Sequence, residues 1–369
     1  MNLADRRRVG AARLAALGLS RPLADRSPLG VVHALGAMQA QELSGGLWSL
    51  GVRSGGALSQ VLAAIDRHEI TRTWPMRGTL HWVAAEDAGW MCRLLAAPAM
   101  RAAQRVLAAE GLTDAVIGRA GEIWAEHLAG AGSMTRAEAA LALSHHGIDA
   151  GGQRCYHLLV RHSQLGLLCQ GPIRVSASGA MEPTFVLLDA WVPHARRPAR
   201  EEALVLLAER YVRSHGPVTE RDLAGWCDQP LRVVREAVSL TDGRVRVEPV
   251  AGAAYLVHVD APEPSPRSPT LLLAGFDEWL LGYKDRAAQL TREQQRLVVP
   301  GGNGVFRGTV VAGSVVVGSW RRVTSRSGVT VEVTGFGPLS ATVRREASRA
   351  AAAYGRFVGR PATVRWSDG

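Results

Sequence analysis

No stretch of this chain stays apolar for the ~20 residues that a bilayer-spanning helix needs, so a membrane-embedded class is excluded. Cysteine is scarce. The four cysteines, Cys92, Cys155, Cys169 and Cys227, lie far apart, with no CxxC pair and no matching histidine cluster. Neither structural zinc nor a disulfide framework is indicated, no metal or other cofactor is expected, and a reducing cytoplasm is the expected setting. Lysine is nearly absent, for Lys284 is the only one among 43 basic residues. Acidic residues are also in deficit, 33 of them, which leaves a formal net charge of +10. A GC-rich genome accounts for arginine replacing lysine, but not for the excess of positive over negative charge. That excess raises the weight of a polyanionic partner, because guanidinium groups make charge-assisted, often bidentate contacts with phosphate.

At 369 residues the chain exceeds one small core, and two to four units are expected. The N-terminal MNLADRRRVGAARLAALGL places basic residues before an apolar stretch, as a signal peptide does. Arg13 interrupts that stretch at helical spacing, so it is read as an amphipathic helix of the mature protein. Beyond it, one order of elements recurs: helix, helix, helix, then two strands. In the clearest copy Leu204, Leu207, Ala208, Tyr211 and Val212 form an apolar helical stripe that stops at Ser214-His215-Gly216-Pro217. Thr219 and Asp222 then have the spacing of a helix N-cap. A third helix is expected over Leu231 to Leu240, and two strands over Arg244 to Glu248 and Ala253 to His258 make a β-wing.

The middle copy runs from a helix around Ile117 to Leu128, through a second helix opened by Thr135 and Glu138, to a third over Arg154 to about Gln164. Its strands lie near Leu167 to Ser176 and Pro183 to Leu188. A first copy is expected at Asp5 to Leu17, Pro28 to about Met38 and Ala57 to His68, followed by strands Ile70 to Trp74 and Thr79 to Val83. The proline-rich PEPSPRSP, Pro262 to Pro269, is a connector. After it come strands near Leu271 to Ala274, Val305 to Val311, Val315 to Arg321 and Val329 to Val333, a helix from Leu339 to Tyr354 and a strand near Ala362 to Trp366. The expected class is therefore α+β: three tandem winged-helix units over 1–110, 111–195 and 196–261, and a C-terminal β-rich region over 270–369. A basic chain of this plan suits duplex DNA, although winged helices also serve as protein-interaction modules.

Four blocks, MQAQE at Met38 to Glu42, TWPMRGTLHWV at Thr73 to Val83, FDEWLLGYKDR at Phe276 to Arg286 and GVFRGTVVAGSVVVGSWRR at Gly304 to Arg322, together resemble the AlkZ/YcaQ winged-helix DNA glycosylases. The resemblance extends over most of the chain. It implies winged helices around a basic concave surface, double-stranded DNA as partner, and hydrolysis of the N-glycosidic bond of alkylated purines, with unhooking of interstrand crosslinks. The catalytic motif of that family, glutamine, an aliphatic residue, then glutamine or aspartate, falls here on Gln39 and Gln41. The double-glutamine form resembles the branch that confers self-resistance to azinomycin-type crosslinks in an antibiotic-producing bacterium.

A carboxamide does not titrate near neutral pH and cannot act as a general base. A purine alkylated at N7 already carries positive charge and departs as a neutral base, so positioning water and stabilising an oxocarbenium-like transition state are the tasks left. Two carboxamide oxygens can do both, and their weak assistance leaves undamaged purines attached. Residues i and i+2 diverge by about 200° on a helix but share a face on extended chain. The motif is therefore expected at a helix end, with the helix from Pro28 unwinding before Ser44-Gly45-Gly46, in an open basic cleft that accepts duplex DNA. By spacing alone, the same two glutamines read rather as ordinary polar residues at a fraying terminus, and it is the resemblance that reverses this.

Arg72 and Arg77 flank the first wing and, with Arg321 and Arg322 on a later strand, are candidate DNA contacts. His81 is read as a satisfied histidine beside Trp82, and His145-His146 as a helix end. Asp277, Glu278 and Asp285 are expected to salt-bridge at a domain junction and not to hold a metal. With Lys284 the sole lysine and nothing tying it to the glutamines, Schiff-base chemistry is not expected, and the enzyme should be monofunctional, leaving an abasic site. Against the glycosylase stand a transcriptional regulator, which would hold one operator and release no base, and a resistance protein that sequesters the free genotoxin.

Overall fold

The computed structural model describes residues 2–368 except 251 and 326, in a mixed α+β fold. Its contacts gather the chain into two compact units, neither continuous in sequence. One comprises Met1–Val61, Leu204–Trp226 and Pro230–Gly369, the other Leu62–Ala203 and Cys227–Gln229. The boundary falls inside the helix Leu58–Asp66.

The second unit holds the helices Asp114–Ala131, Arg136–His145 and Arg154–Gln164, then the strands Leu168–Val175 and Met181–Leu187, the order expected of the middle copy. Thr135 and Glu138 form a reciprocal capping box at the second of these helices, which satisfies two amide donors that a helix start leaves open. These strands continue a sheet with the hairpin Ile70–Met76 and Thr79–Ala84. Beneath lies an apolar core of Trp74, Trp124, Leu143, Leu158, Leu168 and Phe185. Two further helices in this unit, Ala88–Leu95 and Ala97–Ala109, lie where no element was expected.

The first unit carries the third expected pattern. The helix Arg200–His215, which begins just before the unit's own residues, is followed by Glu220–Cys227, Leu231–Ser239 and the paired strands Val245–Val250 and Ala253–His258. Its C-terminal part is a sheet in which Leu271–Leu273, Gly308–Ala312, Val315–Thr324, Val329–Gly335 and Ala362–Asp368 are neighbours in that order. The last two strands are parallel. A parallel pair needs a crossover connection, which the helix Ala341–Phe357 supplies.

Two expectations near the N-terminus are corrected. The helix from Pro28 does not reach Met38: it stops at Leu35, because Gly36 takes a left-handed φ of 78°, a conformation that glycine adopts without steric cost. Residues Ala37–Gln39 then run as a short strand. The Ser44-Gly45-Gly46 stretch is not where a helix unwinds but the first turn of a new one, Leu43–Ser54. Each interior glycine costs about 1 kcal/mol of helix propensity relative to alanine, so local preference hides this helix. Close packing explains it: a Cβ on Gly51 would lie 2.4 Å from the Phe357 ring. Trp48 locks the contact from the same helix, meeting the Tyr354 ring edge-on at 5.0 Å and donating its indole N–H to the Leu272 carbonyl at 2.7 Å.

All four cysteines are reduced and buried. Burial pushes the Cys155 thiol up to about 11 and those of Cys92, Cys169 and Cys227 up to about 12. The nucleophilic thiolate is therefore suppressed in the folded state. Ellman's reagent at about pH 8 should titrate essentially none of the thiols in native protein and all four after unfolding; rapid native labelling of any would contradict this packing.

Candidate active site

The Gln39-Ala40-Gln41 segment leaves a short strand and enters a helix, and each end is fixed by a carboxylate. Upstream, the Gln39 backbone N–H donates to Glu278 Oε1 at 2.8 Å. Glu278 is 1% exposed, and its other oxygen accepts from Trp226 Nε1 at 2.9 Å and lies 3.3 Å from His215 Nε2. Downstream, Glu42 caps the helix Leu43–Ser54, accepting from the Ser44 and Gly45 amides at 3.1 and 2.6 Å. The same carboxylate pairs with Arg322 at 3.0 Å. The motif is thus fixed at both ends, with Gln39 still in the strand and Gln41 in a bend before the helix, and not as one run of extended chain on which residues i and i+2 would project alike. Its two side chains differ in access, however: Gln39 is only 6% exposed, whereas Gln41 is exposed. The open setting expected for the pair holds for Gln41 and not for Gln39.

Glu278 owes its place to its neighbour. Asp277 N-caps a one-turn helix, Glu278–Leu281, and grips the buried Arg53 guanidinium through both carboxylate oxygens at 2.8 and 2.9 Å. Arg53 also donates to the carbonyls of Leu17 and Ser49 at 2.9 Å each, so its donors are directed to fixed acceptors. Asp277 does salt-bridge, as expected, though inside one compact unit and not at a junction. The role of Glu278 was missed, since it needs Gln39, His215 and Trp226, all remote in sequence. Nearby, Arg13 lies 3.9 Å from the Tyr283 ring centroid and 3.7 Å from Asp222. Burial raises the Tyr283 and Tyr211 hydroxyls well above their usual range, so both stay protonated donors, to the carbonyls of His215 and Gly282.

The four candidate DNA contacts fall into different surroundings. Arg72 is 4% exposed and donates to Gln170 Oε1 at 2.9 Å within its sheet, a placement that suits a strut between strands and not a phosphate contact. Arg77, at the hairpin turn with a φ of 57°, donates to His81 Nε2 at 2.8 Å, while His81 Nδ1 lies 2.8 Å from the Thr79 carbonyl. That pattern makes His81 a neutral, satisfied histidine with its proton on Nδ1. Arg321 is largely exposed and pairs with Glu332. Arg322 pairs with Glu42, and the strand that carries both continues to Thr324. Arg322, Glu42, Phe276, Phe306 and Trp320 line a hollow of about 410 Å³ beside the glutamine segment.

A family model described as "DNA glycosylase AlkZ-like" matches residues 32–357. A solved structure, the DNA glycosylase AlkZ of Streptomyces sahachiroi, resembles this fold with a TM-score of 0.79 at 24% identity, over 98% of this chain and 99% of that one. No curated relative matches the sequence.

Removing the Glu278 carboxylate strands buried donors, each costing about 1–3 kcal/mol. Removing the Arg53 guanidinium leaves a buried carboxylate uncompensated at about 3–5 kcal/mol. Urea unfolding of Glu278→Leu and Arg53→Met should therefore show losses of at least ~2 kcal/mol. The exposed Arg67–Glu69 pair is the control, and Arg67→Ala should leave the unfolding midpoint essentially unchanged. Equal effects at all three positions would refute the anchoring role.

Proposed function

The chain belongs to the AlkZ-like DNA glycosylase family, and from that premise we propose that it removes N7-alkylated purines from duplex DNA, with Gln39 and Gln41 placing the hydrolytic water. The observation that carries this is the bracing of the glutamine segment: the Gln39 amide is fixed to buried Glu278 and the residue after Gln41 caps a helix. Such bracing fixes the backbone from which the two side chains project, a first condition of positional catalysis.

In the proposed reaction the bond from C1′ to N9 breaks with its electrons going to the purine, which neutralises the charge the alkyl group introduced. The sugar develops oxocarbenium character. Gln41, being exposed, meets the damaged nucleotide from the solvent side, and Gln39 approaches from its recess. Their carbonyl oxygens accept hydrogen bonds from one water and turn its lone pair toward C1′, while the carboxamide dipoles oppose the developing positive charge. The water oxygen then bonds to C1′ and its proton passes to solvent, leaving an abasic site and an intact strand. No lysine is needed, and Lys284 lies exposed with its backbone N–H on Asp222.

The finer specificity we propose is for bulky lesions and interstrand crosslinks of the azinomycin type, since a base tied to the opposite strand cannot enter a closed pocket and Gln41 is open to solvent. Three winged-helix units, two following the helix–helix–helix–hairpin order and the first carrying the extra strand Ala37–Gln39 and helix Leu43–Ser54, would grip the duplex, with Arg77, Arg321 and Arg322 toward the phosphates. Arg72 serves the sheet in this proposal. The setting proposed is the cytoplasm, in repair or self-resistance.

The test is single-turnover release of free base from duplex containing N7-methylguanine. Gln39→Ala and Gln41→Ala should each slow release by ~10²-fold, the scale of a lost preorganised dipole, with binding to undamaged duplex unchanged. Because carboxamides do not titrate, the wild-type rate should stay flat between about pH 6 and 9. Unchanged release in both variants, or a bell-shaped profile, would remove the glutamines from the chemistry. Alkali should still be required to cut the product strand, and borohydride should trap no covalent adduct.

A further inference from the structure

Several exposed arginines of this chain are paired. Arg67 meets Glu69, Arg119 meets Glu122, Arg174 meets Glu138, Arg235 meets Glu220, and Arg321 and Arg365 share Glu332. The helix Ala341–Phe357 gathers three exposed arginines on one face. Its buried side is Ala347, Ala351, Tyr354 and Phe357, and on the opposite side stand Arg345, Arg349 and Arg356, all exposed.

At 100° per residue these three lie within about 40° of one another, and at 1.5 Å rise they span about 16 Å. Among the described residues none of them makes an ion pair; Arg345 donates to the Thr342 hydroxyl at 3.4 Å. The one acid on the helix, Glu346, is occupied by the Thr270 hydroxyl at 2.6 Å. Like charges at i, i+4 repel, so Arg345 and Arg349 carry a repulsion that the fold leaves uncancelled. The helix itself is held rigidly: Phe357 and Tyr354 pack on Trp48 and Gly51 of the helix that begins two residues after Gln41. Arg349 and Arg356 edge two hollows of about 400 and 410 Å³ that share Trp48 and Val52, so neither guanidinium is buried by a neighbour.

We propose that Arg345, Arg349 and Arg356 form a docking face for the DNA sugar–phosphate backbone, separate from the four arginines considered above. The spacing suits that ligand, because phosphates on one strand recur every ~3.4 Å of helix axis, so a 16 Å row meets several. Exposed guanidiniums on a fixed helix contact phosphate without reading sequence. This inference rests on the assignment of duplex DNA as substrate.

Its test is the salt dependence of binding to an undamaged duplex, measured with full-length protein. Each phosphate contact contributes about 0.9 to the slope of log K against log salt. The triple variant Arg345→Gln/Arg349→Gln/Arg356→Gln should flatten that slope by about 2–3, with the loss similar for unrelated sequences. The triple lysine variant should restore most of it. Thermal unfolding of both variants should match wild type, and single-turnover release of N7-methylguanine at saturating protein should be unchanged. An unaltered slope in the glutamine triple would overturn the proposal, as would a loss of melting temperature that accounts for the weaker binding. A wild type that shows the arginine-dependent slope yet releases no base would sink the glycosylase chemistry and leave the docking face standing.

Discussion

The candidate site depends on a hydrogen bond from a backbone amide to a buried carboxylate. Glu278 is nearly sealed from water, accepts the Gln39 amide and the Trp226 indole, and neighbours His215. A carboxylate taken out of water is costly unless donors surround it, so the arrangement is close to all-or-none: once Glu278 is seated, the segments that bear its donors are drawn to one place. Asp277, on the same turn, does the equivalent work for Arg53. Two adjacent acids thereby tie the N-terminal helices, the helix ending at His215 and the C-terminal region into one compact unit, and Gln39-Ala40-Gln41 is a by-product of that closure. The glutamine segment has no need of rigidity of its own.

In the proposed reaction, those interactions are what place two uncharged side chains for chemistry. A glutamine offers a dipole and no proton, so its value lies in where it is held. The chain fixes the backbone on both flanks of the pair, by Glu278 before it and by the Glu42 cap after it, and leaves the outer glutamine open. Assistance of this limited kind would match the proposed leaving group, which damage has already made cationic. A stronger base at the same place would erode the discrimination against undamaged purines.

Much of the architecture was legible where local signals and tertiary structure agree. The Thr135–Glu138 capping box, the apolar stripe of Leu204 to Val212 and the strand-like run Val315 to Arg321 each announced an element that the structure contains. What was hidden is hidden for physical reasons. The helix Leu43–Ser54 carries glycines that its own propensity disfavours, and tertiary neighbours, the Phe357 ring against Gly51 and Glu42 and Ala274 against Gly45, leave no room for larger residues at those two positions. Arg72 reads as a phosphate ligand in a wing, yet Gln170, almost a hundred residues away, claims its guanidinium. The glutamine motif itself was visible only through resemblance to a family. By spacing alone it is two polar residues near a turn, and the acid that braces it lies 239 residues distant.

The central claim is that bond breaking is driven by the charge of the leaving base, with the protein placing water late. The most direct measurement is the secondary kinetic isotope effect of a hydrogen isotope at C1′ on single-turnover release of N7-methylguanine. A dissociative, oxocarbenium-like transition state predicts a distinctly normal effect, large for a secondary one. A value at or below unity would mean that water attacks before the base departs. That order requires an activated nucleophile, which neither Gln39 nor Gln41 can generate, and it would contradict the account.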